Sequence, residues 1–229
     1  MSTTPPLIVV PEYVIHDGLK KALAFLRADY KSFQSTGVSR SFLYRLLSGI
    51  KFQKYDYFEQ AKSIFITDLG NPRHLEVDLM YNAKSDQIPS IHITTPADAT
   101  DKNGIGMDEG YMEEMVITVQ NRQSYSNVFT RRYTGIYDIV ITDDNSNEII
   151  LIYHVLKALL NSLYFHFDAS GLQNISISGN DLTPYSEIVP KNCFQRVIRL
   201  KCEYECSTLS FETMNVPVDF TFQGTVVDR

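Results

Sequence analysis

Between residues 12 and 33 apolar side chains recur at spacings of three and four, at Ile15, Leu19, Ala22, Leu23, Leu26, Tyr30 and Phe33. That spacing predicts an amphipathic helix. Pro11 suits its first turn, where a missing N–H costs little, and Gly18 weakens that turn alone. A second stripe of the same period, Ile149, Ile152, Val155, Leu156, Leu159, Leu160 and Leu163, predicts a helix over residues 145–163. A shorter helical piece over 40–47 ends at Ser48-Gly49. The aromatic-rich run that follows, KFQKYDYFEQAKSIFITDL, fits a helix or a strand.

From residue 74 the period changes to two. In HLEVDLMY, Leu75, Val77, Leu79 and Tyr81 fall on one face and Glu76, Asp78 and Met80 on the other, the pattern of a half-buried strand. IPSIHITTP reads as a second strand, and the flanking Pro89 and Pro96 point to a sheet edge. The segment Ala97 to Glu114 is rich in turn residues and reads as a long loop. MVITVQNRQSYSNVFTRRYTGIYDIVIT supplies one or two strands, strongest over 133–142, and LQNISIS another. In CFQRVIRLKCEYEC, Phe194, Ile198, Leu200, Cys202, Tyr204 and Cys206 alternate with Gln195, Arg199, Lys201, Glu203 and Glu205, giving an inward and an outward row. The C-terminal VPVDFTFQGTVV is also β-prone. Together these elements predict an α+β fold, a mostly antiparallel sheet packed by an N-terminal and a central helix, with long loops. The 229 residues suffice for one domain, with an insertion at about 34–73 and an extension after residue 206.

Charge narrows the function classes. A net charge of -6 argues against a protein that grips nucleic acid, which needs a surplus of Lys and Arg on the contact face. No apolar run reaches the length of a membrane-spanning helix. The start MSTTPPLIVVPEY lacks the basic and apolar regions of a secretory leader, and the three cysteines, Cys193, Cys202 and Cys206, are odd in number. A reducing, intracellular assembly site is expected. Cys202 and Cys206 share a strand face, but four residues of strand separate them by about 13 Å, beyond a disulfide.

The string DDNSNE, Asp143 to Glu148, invites a cation-site reading. Asp143, Asn145 and Asn147 match the first three ligand positions of a calcium loop, yet Glu148 stands where the turn glycine is required and His154 where the bidentate glutamate is required. A helix cap fits better: Asn145 as N-cap, with Glu148 reaching back to the Asn145 N–H. The five histidines show no HExxH pair. Gly104, Gly106 and Gly110 are spaced GxGxxxG with no following lysine and lead into a β-prone run, so no phosphate loop is expected. Neither LLSGIK nor ASGLQ has the GxSxG form of a nucleophile elbow. No cofactor, metal site or catalytic residue is expected. The remaining enzymatic reading is a small metal- or nucleotide-dependent enzyme using Asp138, Asp143 and Asp144. A binding domain would instead use Tyr55, Tyr57 and Phe58 as an exposed aromatic patch.

The order of elements adds a further expectation. An N-terminal helix, IPSIHI, an acidic segment, RRYTGIYDIVIT, the DDNSNE connection, the helix IILIYHVLKALL, GLQNISISGNDLTPY and a final RVIRLKCEYE resemble tailed-bacteriophage tail terminator and head-to-tail neck ring proteins. The resemblance covers about residues 12–31 and 74–206. It implies a non-enzymatic virion protein that assembles in the host cytoplasm into a closed ring of six or twelve copies. Such a ring sits between portal or neck and tail proteins and completes the DNA channel without binding DNA specifically, and no membrane is involved. Residues 34–73 and the tail after 206 depart from that pattern, which leaves strict terminator and neck ring both open. Asp98, Asp101, Asp108, Glu109, Glu113 and Glu114 against the single Lys102 give the segment 97–114 a charge of -5. Such a loop suits a channel lining or a basic neighbour. Arg131, Arg132, Arg199 and Lys201, with Gln195, are then expected to face acids of the next subunit across a head-to-tail interface.

Overall fold

The computed structural model describes residues 8–66, 74–80, 88–100, 111–119, 122–181 and 193–209. Helix α1 spans Pro11–Phe33 and buries Ile15, Leu19, Ala22, Leu23 and Leu26, the apolar stripe that its sequence carries. Tyr30 and Phe33, at the end of that stripe, are half-buried. Pro11 occupies the first turn as expected, and Gly18 is buried for a packing reason: a Cβ there would lie 2.8 Å from the Phe167 ring.

The run that sequence left undecided is both strand and helix. After a 3-10 turn at Val38–Arg40, helix α2 spans Phe42–Leu47. Its N-cap is Ser41, whose Oγ accepts from Tyr44 N–H, and Asp29 of α1 accepts from the Phe42 N–H at 2.6 Å. Strands β1 (Lys51–Phe52) and β2 (Tyr55–Asp56) form a two-residue ladder, and Asp56 then caps helix α3 (Tyr57–Ala61) by accepting from Phe58 and Glu59. A π-helical turn, Lys62–Ile66, continues it. Leu43, Leu47, Phe58, Ala61, Ile64 and Phe65 are all buried, so this segment belongs to the helical core that α1 builds.

The main sheet contains β3 (Glu76–Leu79), β4 (Ser90–Thr100), β5 (Tyr111–Val119), β6 (Arg122–Asp143), β7 (Gln173–Asp181) and β8 (Phe194–Leu209). Its order is β3-β4-β6-β8-β7, with β5 paired to β6. The α+β class is as expected, and the sheet is mostly antiparallel. The β3–β4 pair is parallel.

Three expectations about these strands are corrected. First, β4 lies between β3 and β6 and is interior. Its rungs with β3 involve only Ser90 to Ile93, so Pro96 lies beyond them and its missing N–H costs none of those bonds. Second, the acidic segment is not a single loop. Asp98 is within β4 and Glu113 and Glu114 are within β5, in register with Val128 and Asn127; Asp101, Asp108 and Glu109 lie outside the described residues. Third, Phe194, expected on the inward row, is 49% exposed at the very start of β8, where the strand end leaves its ring uncovered.

Histidines tie the short β3 in place. His16 of α1 meets the Val77 carbonyl at 3.1 Å, and His92 of β4 meets the Met80 carbonyl through Nδ1 at 3.1 Å. A carbonyl can only accept, so Nδ1 of His92 carries the proton and Nε2 accepts from Ser90 Oγ at 3.2 Å. His74 faces Arg27, whose Nε also donates to the Phe65 carbonyl.

Helix α4 spans Ser146–Ser162, and α5, which the sequence pattern did not signal, spans Tyr164–Ala169. Ile149, Ile152, Val155, Leu156, Leu159 and Leu160 of α4 are buried, as are Tyr137, Ile139 and Ile141 of β6 and Ile198, Leu200 and Cys202 of β8. At about 1.5–3 kcal/mol per fully buried large apolar side chain, this stripe dominates the local energetics.

By internal contacts the chain divides into two compact units, Val10–Asp98 with Gly135–Glu203, and Met1–Val9 with Ala99–Thr134 and Tyr204–Arg229. The first contains all five helices named above. The second contains strands and, among the described residues, no helix. Within it Ile8 bridges antiparallel to Cys206, and β5 and β6 form a nine-rung ribbon from Tyr111↔Thr130 to Val119↔Arg122.

Candidate functional site

The strand-to-helix corner at Asp143 to Glu148 was the first candidate, and its chemistry is that of a turn. Asp143 is fully buried, and its Oδ1 accepts from Asp144 N–H at 2.7 Å and from Asn145 N–H at 3.4 Å. Asn145 is the N-cap of α4 and accepts from the Asn147 N–H at 3.0 Å. Glu148 does reach back to Asn145, but to its side-chain amide at 3.1 Å rather than to its backbone. The difference is due to Asp143, which already holds the Asn145 N–H. Sequence reasoning gave Asp143 no part in the cap, although an Asp two residues before an N-cap is a ready Asx turn.

Asp138, Asp143 and Asp144 do not converge. Asp138 is bound by Arg199 through two parallel contacts of 2.8 Å, Asp143 is committed to the turn, and Asp144 is exposed. Among the described residues no group of three His, Cys, Asp or Glu side chains could hold a metal ion. Of the proposed aromatic patch, Phe58 is in the core, and Tyr55 and Tyr57 are half-buried against each other at 5.1 Å between ring centroids.

The basic residues assigned to an interface are largely engaged within the chain. In the helix-containing unit, Arg199 of β8 pairs with Asp138 of β6, and Gln195 donates to Thr142 at 3.3 Å. In the other unit, Arg132 pairs with Glu205 at 3.2 Å, Thr130 meets Ser207 at 2.8 Å, and Tyr133 stacks on Tyr204 at 5.6 Å. In each set the partner moves down β8 as the position moves up β6, the mark of an antiparallel pair. Asp138 holds the Arg199 guanidinium above its ordinary pKa, chiefly by the side-chain hydrogen bond. Arg131 and Lys201 are exposed.

Two further features were missed. Arg196 lies 4.0 Å above the Tyr153 ring and pairs with Asp181 at 2.9 Å, while Lys157 approaches the same ring. Burial first, then the charges of Arg196 and Lys157, push the neighbouring His154 below its ordinary pKa. The second feature is a groove of about 410 Å³ lined by Ala22, Phe25, Phe42, Leu159, Leu163 and His166. It could take an apolar side chain, and Phe25, 52% exposed, was invisible to a pattern analysis because it lies off the α1 stripe.

No protein-family model matches this chain, and no curated protein is significantly similar to it.

Proposed function

We propose that this chain is a non-enzymatic structural protein of a tailed-bacteriophage virion, one that assembles into a ring at the head–tail junction. The sequence order behind the resemblance is realised as α1, β4, β6, α4, β7 and β8, with the corner at Asp143 to Glu148 connecting β6 to α4. The observation that carries the reading is the β5–β6 ribbon. From Arg122 to Thr130, β6 pairs residue for residue with β5, and a hairpin ribbon is marginal in water until a further face packs on it. A neighbouring subunit would supply that face. The acids of residues 97–114 add a field that repels phosphates, as suits a channel through which DNA must slide.

The enzymatic reading gains nothing from the geometry, since Asp138 is held by Arg199, Asp143 is committed to the turn, and no metal-holding group of three such side chains occurs among the described residues. Native mass measurement tests the proposal, on the protein alone and with the virion's portal-side ring. The expected species is six or twelve times the 26.2 kDa chain, and replacing residues 111–130 with a short Gly-Ser turn should abolish it. A 26.2 kDa monomer under both conditions, stabilised by a divalent cation, would overturn it.

A further inference from the structure

Strand β7 closes one side of the sheet, and among the described residues it pairs with β8 alone. Its ladder is irregular between Gln173 and Ser176 and regular from Ser176 to Asp181. Natural edge strands are usually guarded by lysine, proline, a bulge or a covering loop, because an open row of N–H and C=O groups pairs with any strand that arrives. Here, among the described residues, the bulge guards only the start. From Ser176 to Asn180 the strand reads Ser-Ile-Ser-Gly-Asn, with no charge and no proline.

That stretch is also complementary to itself. Ser176, Ser178 and Asn180 are exposed, whereas Ile177 and Gly179 are half-buried on the other face, where Tyr153 of α4 lies against Gly179. Directly opposed residues in an antiparallel pair share a face, so a strand that pairs with its own copy must do so about a residue. About Ser178, the match places Ser178 opposite Ser178, Ser176 opposite Asn180, and Ile177 opposite Gly179. Polar meets polar, and each isoleucine meets the one residue without a side chain. Gly179 has a packing reason: a Cβ there would run into the hydroxyl and ring of Tyr153. The outward neighbour across β8 is Arg199, already neutralised by Asp138, so no uncompensated guanidinium stands beside the two-fold axis.

We infer that β7 is a dimerisation edge at which two copies of this chain pair antiparallel about Ser178, forming one continuous sheet across an isologous interface. The inference is independent of the virion reading. Combined with that reading, it calls for an assembly that contains two-fold axes.

Charge reversal tests it, because a residue that faces its own copy is disrupted by a charge of either sign. Ser178→Lys and Ser178→Glu should each weaken the β7 association by more than about tenfold, since like charges placed opposite one another are strongly disfavoured. A one-to-one mixture of the two variants should restore it, as read by sedimentation velocity. Far-UV circular dichroism and thermal melting show that each variant is folded. A third variant, Ser178→Cys, should cross-link to its copy under mild oxidation, because opposed Cα atoms lie about 4.5–5.5 Å apart, within disulfide reach. Peptide mapping separates that link from the three native cysteines. Unchanged association in both charged variants, no recovery in the mixture, no 178–178 cross-link, or a wild-type protein that shows no two-fold contact at any concentration would each overturn the inference. A dimer that never grows to six or twelve copies would leave it standing and sink the ring proposal alone.

Discussion

The two units of this chain meet the same requirement by different means. Val10–Asp98 with Gly135–Glu203 holds the helices, and their stripes of Leu and Ile are buried in the same unit as Ile139, Ile141, Ile198 and Leu200. The other unit extends the same kind of strand with no helix among its described residues, and relies on cross-strand contacts such as Thr130–Ser207, Arg132–Glu205 and Tyr133–Tyr204. Cross-strand pairs contribute roughly 0.2–1 kcal/mol each, against about 1.5–3 for a buried aliphatic side chain. A structure held mainly by the first kind of contact is the part expected to wait for a neighbour.

The contrast can be broken most forcefully in the helical unit. Leu156→Ala, at a fully buried position of α4, is expected to cost about 2–5 kcal/mol, measured as a lower denaturation midpoint with an unchanged slope. If the loss were under about 0.5 kcal/mol, the helical layer would not be the stabilising one.

Next in size is the corner. Asn145→Ala with Glu148→Ala should cost about 1–2 kcal/mol in total, with no change in metal response. Loss of a bound cation in that double variant would restore the cation-site reading.

The ion pairs come third. Arg199→Ala in one unit and Arg132→Ala in the other remove solvent-screened contacts, each with a side chain more than a third exposed, so each should lower the melting temperature only slightly. A markedly larger effect at Arg132 would mean that its unit depends on that pair. Equal small effects would place its stabilisation in assembly.

The smallest effect concerns pH. Because burial, Arg196 and Lys157 depress the His154 pKa, the folded state binds this proton less readily than the unfolded chain. Stability is therefore full above about pH 6.5 and falls as the pH drops below it. Thermal melts from pH 7.5 to 5 should show a shallower fall in His154→Gln than in the wild type, and an unchanged slope would remove His154 as a contributor.

Where sequence foretold structure and where it did not follows from what each element buries. The stripes of α1 and α4 and the alternation of β8 are legible because one face of each packs against a core. Residues 97–114 read as one loop because Ala97-Asp98-Ala99-Thr100 and Tyr111-Met112-Glu113-Glu114 carry no apolar alternation, yet β4 and β5 extend into them. Helix α5 is too short, at six residues, to show a period. The corner was half legible: Asn145 and Glu148 announced a cap, but the part played by Asp143 depends on a carboxylate folding back onto its own backbone. The pairing of Arg199 with Asp138 was hidden altogether, since it depends on the register of strands 61 positions apart.

The cysteines have a practical consequence. Burial first, then the nearby carboxylates of Asp98, Glu12 and Glu203, push the Cys202 thiol up to about 12, which leaves almost no thiolate for an alkylating reagent at neutral pH. Cys193 is also pushed up, by burial and by Asp144 and Asp143. Cys193 and Cys206, both half-buried, are the two thiols within reach of a maleimide dye, and Cys193→Ser would leave Cys206 alone. A fluorophore on Cys206 would then report from the unit that holds Ile8 and the β5–β6 ribbon, and its polarisation would test in real time whether further copies arrive.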